Sequence, residues 1–288
     1  MEKSALMISL PECLEKEKYM DEFKSGRFVT SDGVELHYLD AGSGPLLVFV
    51  PGWTMPAWIW EPQLRHFRAT HRVVALDPRG QGSSEKPTMG YHAARRARDI
   101  CELLVHLGGE PAVVVGWSLA VQEVLVCTHA VGSERVRAVV LVDHPIVIAP
   151  EMLRALAAER VESLQVDREA WTRNFVEEIL NPAPSDAYLE ALIQAALATP
   201  TNAAAIMMAN LYLVGPADLR PALDALDRPA LFVYSSLDWA TAAAEQVRKG
   251  WPEIHVKVID DTPHALFVIK PQEFNFVLEE FLASLPRQ

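Results

Sequence analysis

A serine at 118, a histidine at 264 and two acids, Asp143 and Asp238, each lie just beyond an apolar run of the sequence, and together their types suit acyl transfer. A serine hydroxyl is a poor nucleophile by itself. A histidine must take its proton during attack and return it to the leaving group, while a carboxylate fixes the tautomer of the ring. The oxyanion that develops needs two preorganised N–H donors, and losing one costs about a hundred- to a thousand-fold in rate. The stretch "PAVVVGWSLAVQEVL", residues 111–125, passes from consecutive valines into a helical pattern through Gly116, Trp117 and Ser118 alone. An ordinary N-cap also favours serine, so Ser118 taken singly is ambiguous. By the same measure His264 is a loop histidine and Asp238 a turn former. Their joint occurrence at the ends of apolar runs, in the chain order Ser, Asp, His, is what points to a nucleophile.

These residues need elements to hold them. "GRFVTSDGVELHYLDAG" reads as a hairpin turning at Ser31-Asp32-Gly33, and "PLLVFVPGW", "RVVALDPRG", "AVVVG", "RVRAVVLVD", "PALFVYSS" and "HVKVID" read as short buried strands. "AARRARDICELLVHLGG" is an amphipathic helix stopped by Gly108-Gly109. Apolar strands alternating with helices predict an α/β fold, with a mostly parallel central sheet covered by helices on both faces. Ligands of such sheets bind at the carboxyl ends of the strands. The alternation lapses over 148–210, where "EMLRALAAERVESL", "REAWTRNFVEEIL" and "SDAYLEALIQAALA" are all helical. The expected organisation is an N-terminal extension over 1–26, a core over 27–147 and 211–288, and a helical cap over 148–210.

Four segments carry a resemblance to the serine hydrolases of the α/β-hydrolase fold. "VFVPGW" is similar to the oxyanion loop usually written H-G-x, "LDPRGQGSS" to D-x-R-G-x-G-x-S, "GWSLA" to the elbow G-x-S-x-G, and "DTPHALFVIKPQEFNFVLEEFL" to the histidine loop and last helix. The resemblance implies Ser118 as nucleophile, His264 as base, Asp238 as acid at the commoner position, and the backbone N–H groups of Trp53 and Leu119 as oxyanion hole. Asp143 is the rival acid, at the position a minority of the family uses, or else a pocket residue. Pro51 replaces the usual histidine. Ala120 replaces the last glycine of the elbow, adding one methyl where helix and strand pack closely. Trp117, Trp239 and Met207, with Asp143, are the expected substrate-binding residues of a hydrophobic pocket.

The expected activity is hydrolysis of a small to medium, mostly apolar carboxylic ester by a Ser-His-Asp mechanism, without cofactor or metal. A lactonase or carbon–carbon bond hydrolase is the alternative on the same scaffold. Two rivals belong to other classes. One is a cofactor-free ring-cleaving dioxygenase, a group whose loop also looks like "PGW" and whose acid follows the strand after the nucleophile. The other is a non-catalytic ligand receptor. Among the chain's 288 residues the net charge of −12 argues against nucleic-acid and anionic-membrane partners. Cys13, Cys101 and Cys127 have no metal-ligand spacing and read as free thiols of a cytoplasmic protein. An apolar cap also leaves a homodimer open.

Overall fold

A computed structural model describes residues 23–147, 150–214 and 218–286. Eight strands form one sheet: β1 (Lys24–Val29), β2 (Glu35–Ala41), β3 (Leu46–Val50), β4 (Arg72–Leu76), β5 (Ala112–Trp117), β6 (Val136–Val142), β7 (Ala230–Tyr234) and β8 (His255–Val258). Their spatial order is β1-β2-β4-β3-β5-β6-β7-β8. β1 and β2 pair antiparallel with each other, and β2 pairs antiparallel with β4. From β4 to β8 every pairing is parallel. Parallel strands demand crossovers, and helices supply most of them. The crossover helices include α1 (Glu61–Phe67), α2 (Ala93–Leu107), α3 (Leu119–Val131), α8 (Arg220–Asp224) and α9 (Asp238–Gly250), while α10 (Leu266–Ile269) and α11 (Pro271–Ser284) follow β8. Four more, α4 (Pro150–Val166), α5 (Arg168–Leu180), α6 (Asp186–Leu197) and α7 (Thr201–Ala209), fall between β6 and β7, and α7 runs on into a π-helical turn, Asn210–Val214.

Period-two alternation divides each strand between two cores. Leu47 and Phe49 of β3, with Val113, Val115 and Trp117 of β5, join Trp60, Phe267 and Phe274 on one face. Val48 and Val50, with Ala112 and Val114, face α2, α3 and α9 on the other. A third cluster gathers Trp53, Leu119, Ala157, Leu164, Met207, Met208 and Tyr212. It packs the helices between β6 and β7 onto the carboxyl ends of β3 and β5. Of the expected N-terminal extension, residues 1–22, with Cys13, lie outside the described residues, and 24–26 already belong to β1. Among the described residues no single helix is long and apolar enough to cross a membrane.

Candidate active site

The carboxyl end of β5 is a corner. Ser118 sits between β5 and α3 with φ 55° and ψ −121°, a left-handed backbone that an L residue adopts only when its surroundings force it. The force is visible: the Ser118 N–H donates to the carbonyl of Val142 at 2.9 Å, and helix α3 begins at the next residue. The side chain caps nothing in α3. Its Oγ lies 2.9 Å from Nε2 of His264 instead, so the capping alternative for this serine fails. Four non-glycine residues among those described have positive φ, namely Thr54, Ser118, Asp143 and Asp261. Three of the four follow β3, β5 and β6 at the same sheet edge.

His264 is oriented from its other nitrogen. Nδ1 lies 2.7 Å from Oδ2 of Asp143, a fully buried carboxylate. Asp143 follows directly on β6, and its N–H donates to the carbonyl of Val233 at 2.9 Å. The carboxylate also accepts from the Ser235 N–H at 2.7 Å and the Ser235 hydroxyl at 3.1 Å. Bonded this way it holds one orientation and keeps the proton of His264 on Nδ1, leaving Nε2 as an acceptor toward Ser118.

This corrects the expectation for Asp238. That residue is the first residue of α9 and is exposed, and its carbonyl accepts from the Thr241 hydroxyl at 2.9 Å. After β7 the chain runs on through Ser235, Ser236 and Leu237 before α9 begins, carrying Asp238 past the sheet edge. An acid in the first turn of a helix is a common stabilising placement against the helix dipole.

The two expected N–H donors belong to the residue after Ser118 and to the loop after β3. Leu119 opens α3, and neither its N–H nor that of Trp53 has a hydrogen-bond partner among the described residues. The loop carrying Trp53 approaches closely: a Cβ on Gly52 would stand 3.1 Å from Cβ of Ser118 and 3.2 Å from the Trp117 ring. Gln81 pins that loop by donating from Nε2 to the carbonyls of Gly52 at 3.0 Å and Met55 at 2.7 Å. Gln81 fills the variable position between the two glycines of R-G-Q-G, where the motif itself assigns no role. The Trp53 indole donates to the carbonyl of Ala204 at 2.9 Å and takes edge contacts from Trp171 and Phe175. The Arg168 guanidinium lies over it at 5.3 Å, and burial pulls that group's pKa down to about 10.

The remaining expected residues divide. Trp239 is half-exposed and meets the His264 ring edge-on at 6.0 Å. Met207 is buried in the cluster with Trp53 and Leu119. Trp117 is buried on the opposite side of the sheet: its indole N–H donates to the His264 carbonyl at 3.0 Å and its ring packs on Phe267 and, at 5.1 Å, on the His264 ring, so it backs the histidine loop. His144, beside the acid, is buried, with Nδ1 donating to the Pro145 carbonyl at 2.6 Å. Burial, opposed by that bond and aided by the charge of nearby His264, pushes its pKa down to about 4. The closeness of Ala120 to the sheet is accommodated at Gly116, where an added Cβ would come within 2.7 Å of Val124 Cγ2 and 3.0 Å of the Ala120 carbonyl oxygen.

A second serine-histidine-aspartate chain exists. His37 joins Ser25 Oγ at 2.8 Å and Asp77 Oδ2 at 2.8 Å. Ser25 is the second residue of β1, with no helix start beside it, and Asp77 also accepts the N–H groups of Ala57 and Ser83. It braces the loop after β4. Among the described residues no cluster of three or more histidine, cysteine or acidic side chains is placed to hold a metal ion.

Comparison with known proteins places this geometry in context. A family model described as "Alpha/beta hydrolase family" matches residues 47–275. A pimeloyl-[acyl-carrier protein] methyl ester esterase of Vibrio campbellii is 27% identical over 261 residues, covering 86% of this chain and 98% of the relative. A 2-(acetamidomethylene)succinate hydrolase of Mesorhizobium japonicum is 36% identical over 138 residues, covering 48% of this chain and 49% of its own. Among solved structures, an esterase from Exiguobacterium antarcticum superposes with a TM-score of 0.83 at 19% identity, covering 91% of this chain and 100% of that one.

Proposed function

Since the chain belongs to the alpha/beta hydrolase family, we propose that it hydrolyses a carboxylic ester through an acyl-enzyme on Ser118. The observation that carries this is the 2.9 Å contact of an uncapping, half-buried Ser118 Oγ with His264 Nε2. His264 takes the hydroxyl proton as Oγ attacks the carbonyl carbon, and the unengaged N–H groups of Leu119 and Trp53 receive the negative charge on the carbonyl oxygen. The imidazolium, steadied by Asp143, gives its proton to the departing alcohol. Water deprotonated by the same nitrogen then releases the acid and frees Ser118. Leu119, Trp53 and Met207 make the surroundings apolar, which suits a small to medium, mostly apolar acyl group. The relatives named as esterases and hydrolases support the same class.

The test is a hydrolysis screen over p-nitrophenyl esters of rising acyl length, with a homoserine lactone and a peptide amide alongside. Ester turnover that vanishes in Ser118→Ala is the expected result. Turnover surviving in that variant contradicts it. A second reading has one observation in its favour: the partner of His264 is Asp143, after the strand that follows the serine, where the cofactor-free dioxygenases carry theirs. Consumption of O₂ with turnover of an aromatic substrate, undiminished in Ser118→Ala, would select that reading.

A further inference from the structure

On the sheet face away from Trp60 and Phe267, α2 and α3 bring two thiols together. Sγ of Cys101 lies 2.7 Å from Sγ of Cys127 and 3.7 Å from the Cys127 carbonyl. Both cysteines are free. Two sulfurs this near are already within about 0.7 Å of the roughly 2.05 Å of a disulfide bond. Access is one-sided. A groove of about 430 Å³ between the helices is lined by Arg98, Cys101, Glu102, Val126 and Cys127. Cys101 is 8% exposed and Cys127 1%. The contact with Cys127 favours the thiolate of Cys101, with burial opposing it, and the contact with Cys101, reinforced by burial, strongly disfavours the thiolate of Cys127. The charge of Glu102 also opposes the thiolate of Cys101, and Arg95 favours it to a lesser degree.

We propose that Cys101 and Cys127 are a thiol–disulfide exchange site for low-molecular-weight disulfides, with Cys101 the entry thiol and Cys127 the resolving thiol. The Cys101 thiolate attacks one sulfur of the small disulfide, forming a mixed disulfide and expelling one small thiolate, which is protonated by solvent. Cys127, losing its proton, attacks Sγ of Cys101 and expels the second small thiol. Two electrons pass from the protein to the small disulfide, which leaves as two thiols. The product is a Cys101–Cys127 bond joining α2 to α3, the helix that starts at the nucleophile corner. The site is independent of the ester-hydrolysis reading, since neither sulfur touches Ser118, His264 or Asp143.

Folded full-length protein is incubated with oxidised glutathione and examined by intact mass and non-reducing peptide mapping. Wild type and Cys13→Ser should both lose two hydrogens and yield linked peptides containing Cys101 and Cys127. Cys127→Ala should stop at a single glutathione adduct on Cys101, and Cys101→Ser should leave Cys127 unmodified. The oxidised protein should melt several degrees higher than the reduced one, because the bond closes a loop of the unfolded chain. Any of three results overturns the proposal: a glutathione adduct persisting on Cys101 in wild type, an adduct on Cys127 in Cys101→Ser, or no reaction in the folded protein. The wild-type mapping decides the matter even if a variant fails to fold.

Discussion

At the scale of single residues, the choice between two acids makes the sharpest prediction. Asp143→Asn presents an amide to Nδ1 of His264 and favours the wrong tautomer. The matching change in serine proteases costs about 10⁴-fold in kcat, and a loss of that order is expected here. Asp238→Asn, at an exposed helix start, should change kcat by no more than about twofold. Saturating ester hydrolysis with both purified variants, alongside unfolding curves, checks this, and the reverse ranking contradicts it. The serine and histidine were legible in the sequence because each has a motif around it. The acid was not, because both candidates stand after an apolar strand and composition does not say which side chain turns inward. One signal was available. Asp143 follows the buried run "AVVLV" with no residue between, whereas three residues separate Asp238 from Tyr234 and place it where a helix favours an acid in any case.

At the scale of elements, the site depends on how closely α3 and the loop after β3 approach β5. Gly116→Ala puts a methyl within 2.7 Å of Val124 and against the backbone of Ala120, so α3 must move off the sheet. The expected cost is about 1–3 kcal/mol of stability, read by urea unfolding, together with reduced kcat. Gly52→Ala presses instead on Ser118 and Trp117. There the expected result is a kcat loss of up to about 10²-fold with the smaller change in melting temperature, since a small misplacement near reacting atoms is costly. An unchanged kcat in Gly52→Ala would contradict the placement of this loop. The strands themselves were readable, because buried parallel strands are continuous apolar runs and β3, β4, β5, β6 and β7 are all of that kind. The role of Gln81 was hidden, since it ties together backbone carbonyls of a loop distant in sequence. The support Trp117 gives to the histidine loop is hidden for a related reason: strand alternation sends its side chain to the face opposite α3, where its partner is a backbone carbonyl distant in sequence.

At the scale of the whole molecule, stability should follow the protonation of His144. Its folded pKa of about 4 lies below the ordinary 6.5, so between those values the unfolded chain binds the proton and the folded one does not. Stability is therefore fully present above about pH 6.5 and falls as the pH drops toward 4, by on the order of 3 kcal/mol. Urea unfolding across that range should show the decline in wild type and a shallower one in His144→Gln, and parallel curves would contradict it. The account as a whole rests on one serine among many being made reactive by fold. Among the described residues two serines sit on a histidine–aspartate pair, Ser118 and Ser25, and of these two it is Ser118 that has the strand-to-helix corner and the positive-φ backbone. The most direct measurement is treatment of the folded protein with a fluorophosphonate, followed by peptide mass mapping. One phosphonyl group on Ser118, lost in His264→Gln, is the predicted result. Labelling at Ser25, or none on folded protein, would contradict it.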